Sequence, residues 1–97
     1  MRSTIFGVGQ MGKCIASAME KLGHELTVVD SSADSLSQCG DILGNFSKHN
    51  FVHYHDISKE HYEDFLGDTD VVISALPYHQ TARLARYCIR NGIRYCD

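Results

Sequence analysis

Gly7-Val8-Gly9-Gln10-Met11-Gly12 lies between a short apolar run, Ser3-Thr4-Ile5-Phe6, and a stretch in which Met11, Ile15, Ala18, Met19 and Leu22 recur at helical spacing. Three glycines at this spacing gain meaning from that setting, a strand that turns directly into a helix. Gly23 supplies the helix stop. Residues 24–30, with Leu26, Val28 and Val29, then read as a second strand that ends on Asp30. The acid falls roughly twenty residues past the glycines, the separation of the dinucleotide-binding fingerprint.

Each position has a chemical reason. Gly7 permits the tight turn out of the first strand, Gly9 lets the backbone approach a pyrophosphate, and Gly12 lets the helix pack close to the sheet. The free N–H groups at the start of the helix carry partial positive charge and can hold phosphates without a basic side chain. Asp30 can accept hydrogen bonds from an adenosine ribose and repels a 2′-phosphate. At ~4 Å and an effective dielectric near ~20 that repulsion is on the order of 4 kcal/mol per charge pair. The expected cofactor is therefore NAD. NADP stays open, because Ser31 and Ser32 could bond a 2′-phosphate if Asp30 turned away. A turn or capping acid before the next helix is the other reading of Asp30.

The rest of the chain alternates strand and helix. Residues 33–39 form a weak second helix started by Ser32 and damaged by Gly40 and Gly44. Residues 51–55 read as a third strand, after which Ser58 caps a short helix with Tyr62, Phe65 and Leu66 as its buried stripe. The unbroken apolar run over 71–76 suits a central parallel strand covered on both faces, and Pro77 ends it. A helix over about 79–91 offers Leu84, Ala85, Cys88 and Ile89 to the sheet, Gly92 stops it, and 93–96 form a fifth strand. Right-handed crossovers give the order 3-2-1-4-5. The expected fold is α/β, a Rossmann-type doubly wound parallel sheet, truncated before a sixth strand and a substrate domain.

At 97 residues, 43% hydrophobic and 22% charged, the chain has the size and composition of one globular domain, spanning 1–97. A net charge of −3 argues against a nucleic-acid surface. No apolar run approaches the ~20 residues of a membrane span. Met1-Arg2-Ser3-Thr4 leads into the first strand without a signal peptide, so the expected location is the cytoplasm. Cys14, Cys39, Cys88 and Cys96 form no CxxC pair and read as reduced thiols in or near the core. His49, His53, His55 and His61 cluster in sequence, but no carboxylate or thiolate clearly converges with them, so no metal site is assigned. Arg83, Arg86 and Arg90 read as a solvated helix face. Tyr78 and His79 follow the fourth strand, whose carboxyl end faces the cofactor crevice, and are read equally well as crevice residues or as an ordinary turn.

The run Asp70-Val71-Val72-Ile73-Ser74-Ala75-Leu76-Pro77-Tyr78, followed by a helix and then Asn91-Gly92-Ile93-Arg94-Tyr95-Cys96-Asp97, resembles the N-terminal NAD(P)-binding domain of the saccharopine dehydrogenase-like family, which includes lysine dehydrogenases. The likeness runs essentially the whole chain. It implies oxidoreduction at a carbon–nitrogen bond of an amino acid, with hydride passing between the amine carbon and nicotinamide. By the same resemblance Gly7, Gly9 and Gly12 contact or admit the pyrophosphate, and Gln10 and Met11 donate backbone N–H groups. Asp30 binds the adenosine ribose with Ser31 beside it, Asp56 and Ile57 border the adenine, and Ala75, Leu76 and Pro77 line the path towards the nicotinamide. No catalytic acid or base is assigned, since the groups that bind the amino acid and move its protons belong, in such enzymes, to a following domain. The chain alone is therefore expected to be inactive. Two other readings stay open, a nucleotide-sensing regulatory domain without chemistry and an interaction scaffold. With its fifth strand at a sheet edge, the chain is expected to self-associate.

Overall fold

The computed structural model describes residues 1–44, 48–54, 62, 66 and 68–97, without the side chains of 78 and 79. Five strands form one parallel sheet: β1 (Arg2–Phe6), β2 (Glu25–Asp30), β3 (Asn50–His53), β4 (Val71–Ser74) and β5 (Arg94–Cys96). Their order is β3-β2-β1-β4-β5, as the alternation of strand and helix predicts. β1 is central, with Ile5 beside Val28 on one side and Ile73 on the other. The described helices are α1 (Gln10–Lys21), α2 (Ala33–Ile42) and α3 (Tyr78–Arg90).

Side chains alternate across the sheet, so successive residues of β1 feed two cores. Ile5 packs with Val28, Leu26, Val8, Ala16, Leu36 and Cys39 under α1 and α2. Phe6 packs with Val29, Val72, Leu84, Cys88, Tyr62 and Leu66 on the α3 face. Helices on opposite faces of one parallel sheet make the fold doubly wound and leave a crevice between the carboxyl ends of β1 and β4.

Helix boundaries follow local chemistry. Ser32 caps α2 by accepting the Ser35 N–H at 3.2 Å. α1 and α3 end alike, on left-handed glycines at φ +89° (Gly23) and φ +67° (Gly92). In both, the next amide bonds back into the last turn, His24 N–H to the Met19 carbonyl and Ile93 N–H to the Cys88 carbonyl.

Packing corrects several sequence-based expectations. The stripe assigned to α1 holds only in part: Ile15 and Met19 pack against the core beside buried Gly12 and Ala16, whereas Ala18 is exposed and Met11 and Leu22 are 69% and 77% exposed. Small residues let the helix sit closer to the sheet than a Met or Leu face allows. α2 continues through Gly40 to Ile42, because burial of Leu36, Cys39 and Leu43 outweighs the poor helix propensity of glycine. Ile89 points to solvent at 74% exposure, while Leu84 and Cys88 alone of the assigned set are fully buried. β3 begins one residue early, at Asn50. Cys39 and Cys88 are buried, whereas Cys14 and Cys96 are exposed at the surface. Ser58, Phe65, His55 and His61 lie outside the described residues; Tyr62 and Leu66 are buried as expected.

Candidate functional site

The glycine turn continues from β1 at the centre of the sheet. Gly7 N–H donates to the Val29 carbonyl at 2.8 Å, which carries the β1–β2 ladder one residue past the strand. At φ +87°, a Cβ on Gly7 would stand 3.0 Å from both the carbonyl carbon and the oxygen of Ala75, and 3.3 Å from Leu76 Cδ2. A Cβ on Gly12 would fall onto the Gly7 carbonyl oxygen and come within 2.9 Å of its carbon. The chain's own packing therefore demands glycine at both positions.

Gly9 is different. Its φ of −63° suits any residue, and among the described residues a Cβ there would meet nothing within 4 Å. No described residue requires this glycine. It occupies the N-cap of α1, where no side chain caps the helix and no carboxylate stands in the first turn. The first-turn N–H groups are thus left facing the cleared space beside exposed Gly9, Gln10 and Met11. A phosphate group fits such a cradle, since it supplies acceptor oxygens and negative charge to the positive end of the helix.

Asp30 holds the turn from the side. Its Oδ2 accepts the Val8 N–H at 2.6 Å and its Oδ1 accepts the Ser32 N–H at 2.8 Å. The two sequence readings of this residue meet here, because it is a turn acid before α2 and also stands beside the glycine loop. Each oxygen keeps a lone pair for a ribose hydroxyl. Ser31 is exposed next to it, and its carbonyl oxygen accepts from His53 Nε2 at 3.0 Å.

On the other side of the turn, Ala75 N–H donates to the Phe6 carbonyl at 2.8 Å, so the β4–α3 loop leaves the sheet directly against Gly7. Ala75 and Leu76 are half-buried and Pro77 is exposed. The structure thus brings Gly7, Gly9, Gln10, Met11, Gly12, Asp30, Ser31, Ala75, Leu76 and Pro77 to one end of the sheet. Asp56 and Ile57 lie outside the described residues, as do the side chains of Tyr78 and His79. Sequence reasoning missed Ser74 and Thr81, whose hydroxyls contact each other beneath the β4–α3 loop at 2.8 Å. The available signal was a serine inside an otherwise apolar central strand.

Of the four clustered histidines, His49 and His53 are described. His49 is buried at the opposite end of β2, where its Nδ1 accepts the Leu26 N–H at 3.1 Å and its Nε2 donates to Glu20 Oε2 at 2.8 Å. Among the described residues no group of three His, Cys, Asp or Glu could hold a metal ion. Burial pushes the Cys88 thiol up to about 11 and raises Cys39 as well, so both are poor nucleophiles. A cavity of about 480 Å³ lined by Thr69, Asp70, Tyr87, Asn91 and Arg94 lies at the amino ends of β4 and β5, away from the glycine turn. Among the described residues no helix is long and apolar enough to cross a membrane.

The family model of the saccharopine dehydrogenase NADP binding domain matches residues 4–97. A comparison with curated proteins finds no match. Similar solved structures include the arogenate dehydrogenase of Synechocystis, with a TM-score of 0.64 and 16% identity over 93% of this chain and 28% of that one. A short chain dehydrogenase from Bacillus anthracis has a TM-score of 0.63 and 17% identity, over 95% of this chain and 51% of that chain. The (S)-3-hydroxybutyryl-CoA dehydrogenase of Ralstonia eutropha has a TM-score of 0.62 and 20% identity, over 96% and 37%. At such identities the likeness establishes the fold. The chain spans 28% of the first of these structures and 51% of the second.

Proposed function

The chain belongs to the saccharopine dehydrogenase NADP binding domain family, and from that premise we propose that it is the cofactor-holding part of an oxidoreductase that acts on a carbon–nitrogen bond of an amino acid. The observation that carries the cofactor reading is the space at Gly9, which no described residue requires and which opens over an uncapped helix start.

When bound, the nicotinamide supplies hydride donation or acceptance. The chain's own residues bind and orient. Gly9, Gln10 and Met11 present backbone N–H groups to the pyrophosphate, Gly7 and Gly12 keep the turn close enough to the sheet for this, and Asp30 with Ser31 takes the adenosine ribose. Ala75, Leu76 and Pro77 form the wall towards the nicotinamide, and the family resemblance assigns Asp56 and Ile57 to the adenine. The amino acid and the groups that move its protons are assigned to another domain, so this chain by itself is expected to oxidise no amino acid at an enzymatic rate.

The family takes its description from NADP, yet we assign NAD as the preferred cofactor of this chain. Support comes from the two backbone N–H groups that hold both oxygens of Asp30. They oppose the rotation that a 2′-phosphate needs before Ser31 and Ser32 can receive it. Calorimetric titration of the chain with NADH and NADPH, repeated on Asp30→Ala, tests both levels. Saturable binding that favours NADH and loses its preference in the variant is expected. Equal binding of the two in the parent chain refutes the NAD assignment, and binding of neither by folded protein refutes the cofactor reading.

A further inference from the structure

β4 ends on Ser74, a hydroxyl buried to 6% exposure, and Thr81 stands in the first turn of α3. The Leu76 N–H donates to Ser74 Oγ at 3.3 Å, Ser74 Oγ and Thr81 Oγ1 are 2.8 Å apart, and Thr81 Oγ1 lies 3.4 Å from the Leu76 carbonyl oxygen. Each hydroxyl has one proton, which restricts the possible directions. The Leu76 carbonyl can only accept, so the Thr81 hydroxyl donates to it. Thr81 Oγ1 must then accept from the Ser74 hydroxyl. The three bonds form a closed ring that starts and ends on Leu76, with every proton running the same way around. The short contact joins the two hydroxyls, and the two longer ones reach the backbone of Leu76.

The ring serves a backbone that has just left the sheet. Ala75 N–H makes the last ladder bond, to the Phe6 carbonyl, and Ser74 and Thr81 take over both polar groups of the next residue. Tyr95 from β5 packs against the same turn, its hydroxyl 3.4 Å from the Thr81 carbonyl oxygen. The residue so held is the one whose Cδ2 would meet a Cβ on Gly7 at 3.3 Å. Leu76 therefore stands at the β1–β4 boundary, where the sheet's helices change face and the crevice opens.

We propose that Ser74 and Thr81 are positioning residues of the cofactor site, holding Leu76 as the wall against which the nicotinamide end of a dinucleotide rests. This rests on the dinucleotide reading above. It separates the site into two parts, with the glycine turn and Asp30 serving the adenosine diphosphate portion and the hydroxyl ring serving the nicotinamide portion alone.

Two ligands distinguish the parts, since ADP-ribose carries everything in NADH except the nicotinamide. The full chain and its Ser74→Ala, Thr81→Val and Thr81→Ser variants are titrated with each, and their folding is checked by circular dichroism. Ser74→Ala and Thr81→Val are expected to weaken NADH about fivefold to tenfold and ADP-ribose less than about twofold. Thr81→Ser, which keeps the hydroxyl, is expected to restore NADH binding. The double variant is expected to be little worse than either single one, because one cut opens the ring. Equal losses for both ligands, or none for either, overturn the proposal. So does a parent chain that binds both ligands equally, an outcome that leaves the dinucleotide reading standing. Binding of neither ligand refutes that reading and the present one with it. Ser74→Ala adds no bulk and carries the test if Thr81→Val does not fold.

Discussion

The three glycines of the turn do different work, and substitution separates them. Alanine at Gly12 must displace the Gly7 carbonyl, an overpacking with cost of about 1–3 kcal/mol or more. Gly9→Ala, with open space around its Cβ, is expected to change stability by no more than ~0.5 kcal/mol. Its effect falls on NADH, whose pyrophosphate needs that space. Urea denaturation and calorimetry of the two variants check this, and a Gly9→Ala protein that binds NADH as well as the parent removes the main support for the cradle. Asp30→Ala leaves the Val8 and Ser32 N–H groups without their acceptor and is expected to cost about 1–3 kcal/mol besides its effect on cofactor choice. The spacing of Gly7, Gly9, Gly12 and Asp30 was legible because all four lie on one continuous strand–turn–helix–strand stretch, where their separation can be counted directly. Ser74 left one mark, a polar residue in an apolar strand, but its partnership with Thr81 joins the end of a strand to a helix across a loop and leaves no periodic trace.

Among the elements, α1 and α3 show where pattern and packing part. Apolar spacing on α1 proposed a face of Met11, Ile15, Ala18, Met19 and Leu22, of which Ile15 and Met19 pack on the core beside Gly12 and Ala16 while Met11 and Leu22, at the two ends of the helix, face solvent. On α3, Leu84 and Cys88 face the sheet while Ile89 does not. Leu84→Ala is therefore expected to cost about 2–5 kcal/mol, and Ile89→Ala no more than ~0.5 kcal/mol. Denaturant midpoints that rank the two in the opposite order contradict this helix face. The thiols divide in the same way: a maleimide is expected to label Cys14 and Cys96 in the native chain and reach Cys39 and Cys88 only after unfolding, as read by mass spectrometry of the peptides.

For the whole molecule, acidic side chains in or near the core predict a loss of stability at alkaline pH. Burial raises Cys88 from 9.0 to about 11 and also raises Cys39, Tyr62 and Tyr95. Each group folds most favourably protonated, so its contribution is complete below its unfolded value and is lost as pH climbs through the folded one. Stability is expected to fall from about pH 9 to pH 11, measured as a declining urea midpoint; a flat profile there contradicts the burial of these groups. β5 pairs only with β4 among the described strands, and we expect its free edge to drive self-association, which a monomeric sedimentation profile over a wide concentration range would contradict. Sequence alone determined the strand order, the glycine turn and the acid beside it, because right-handed crossovers, tight turns and helix stops are local properties of the chain. Tertiary structure alone decided that the ends of the α1 stripe face solvent, how far α2 extends and which hydroxyls hold Leu76. Those outcomes depend on how closely separate elements approach, and that distance is set by packing across the sheet.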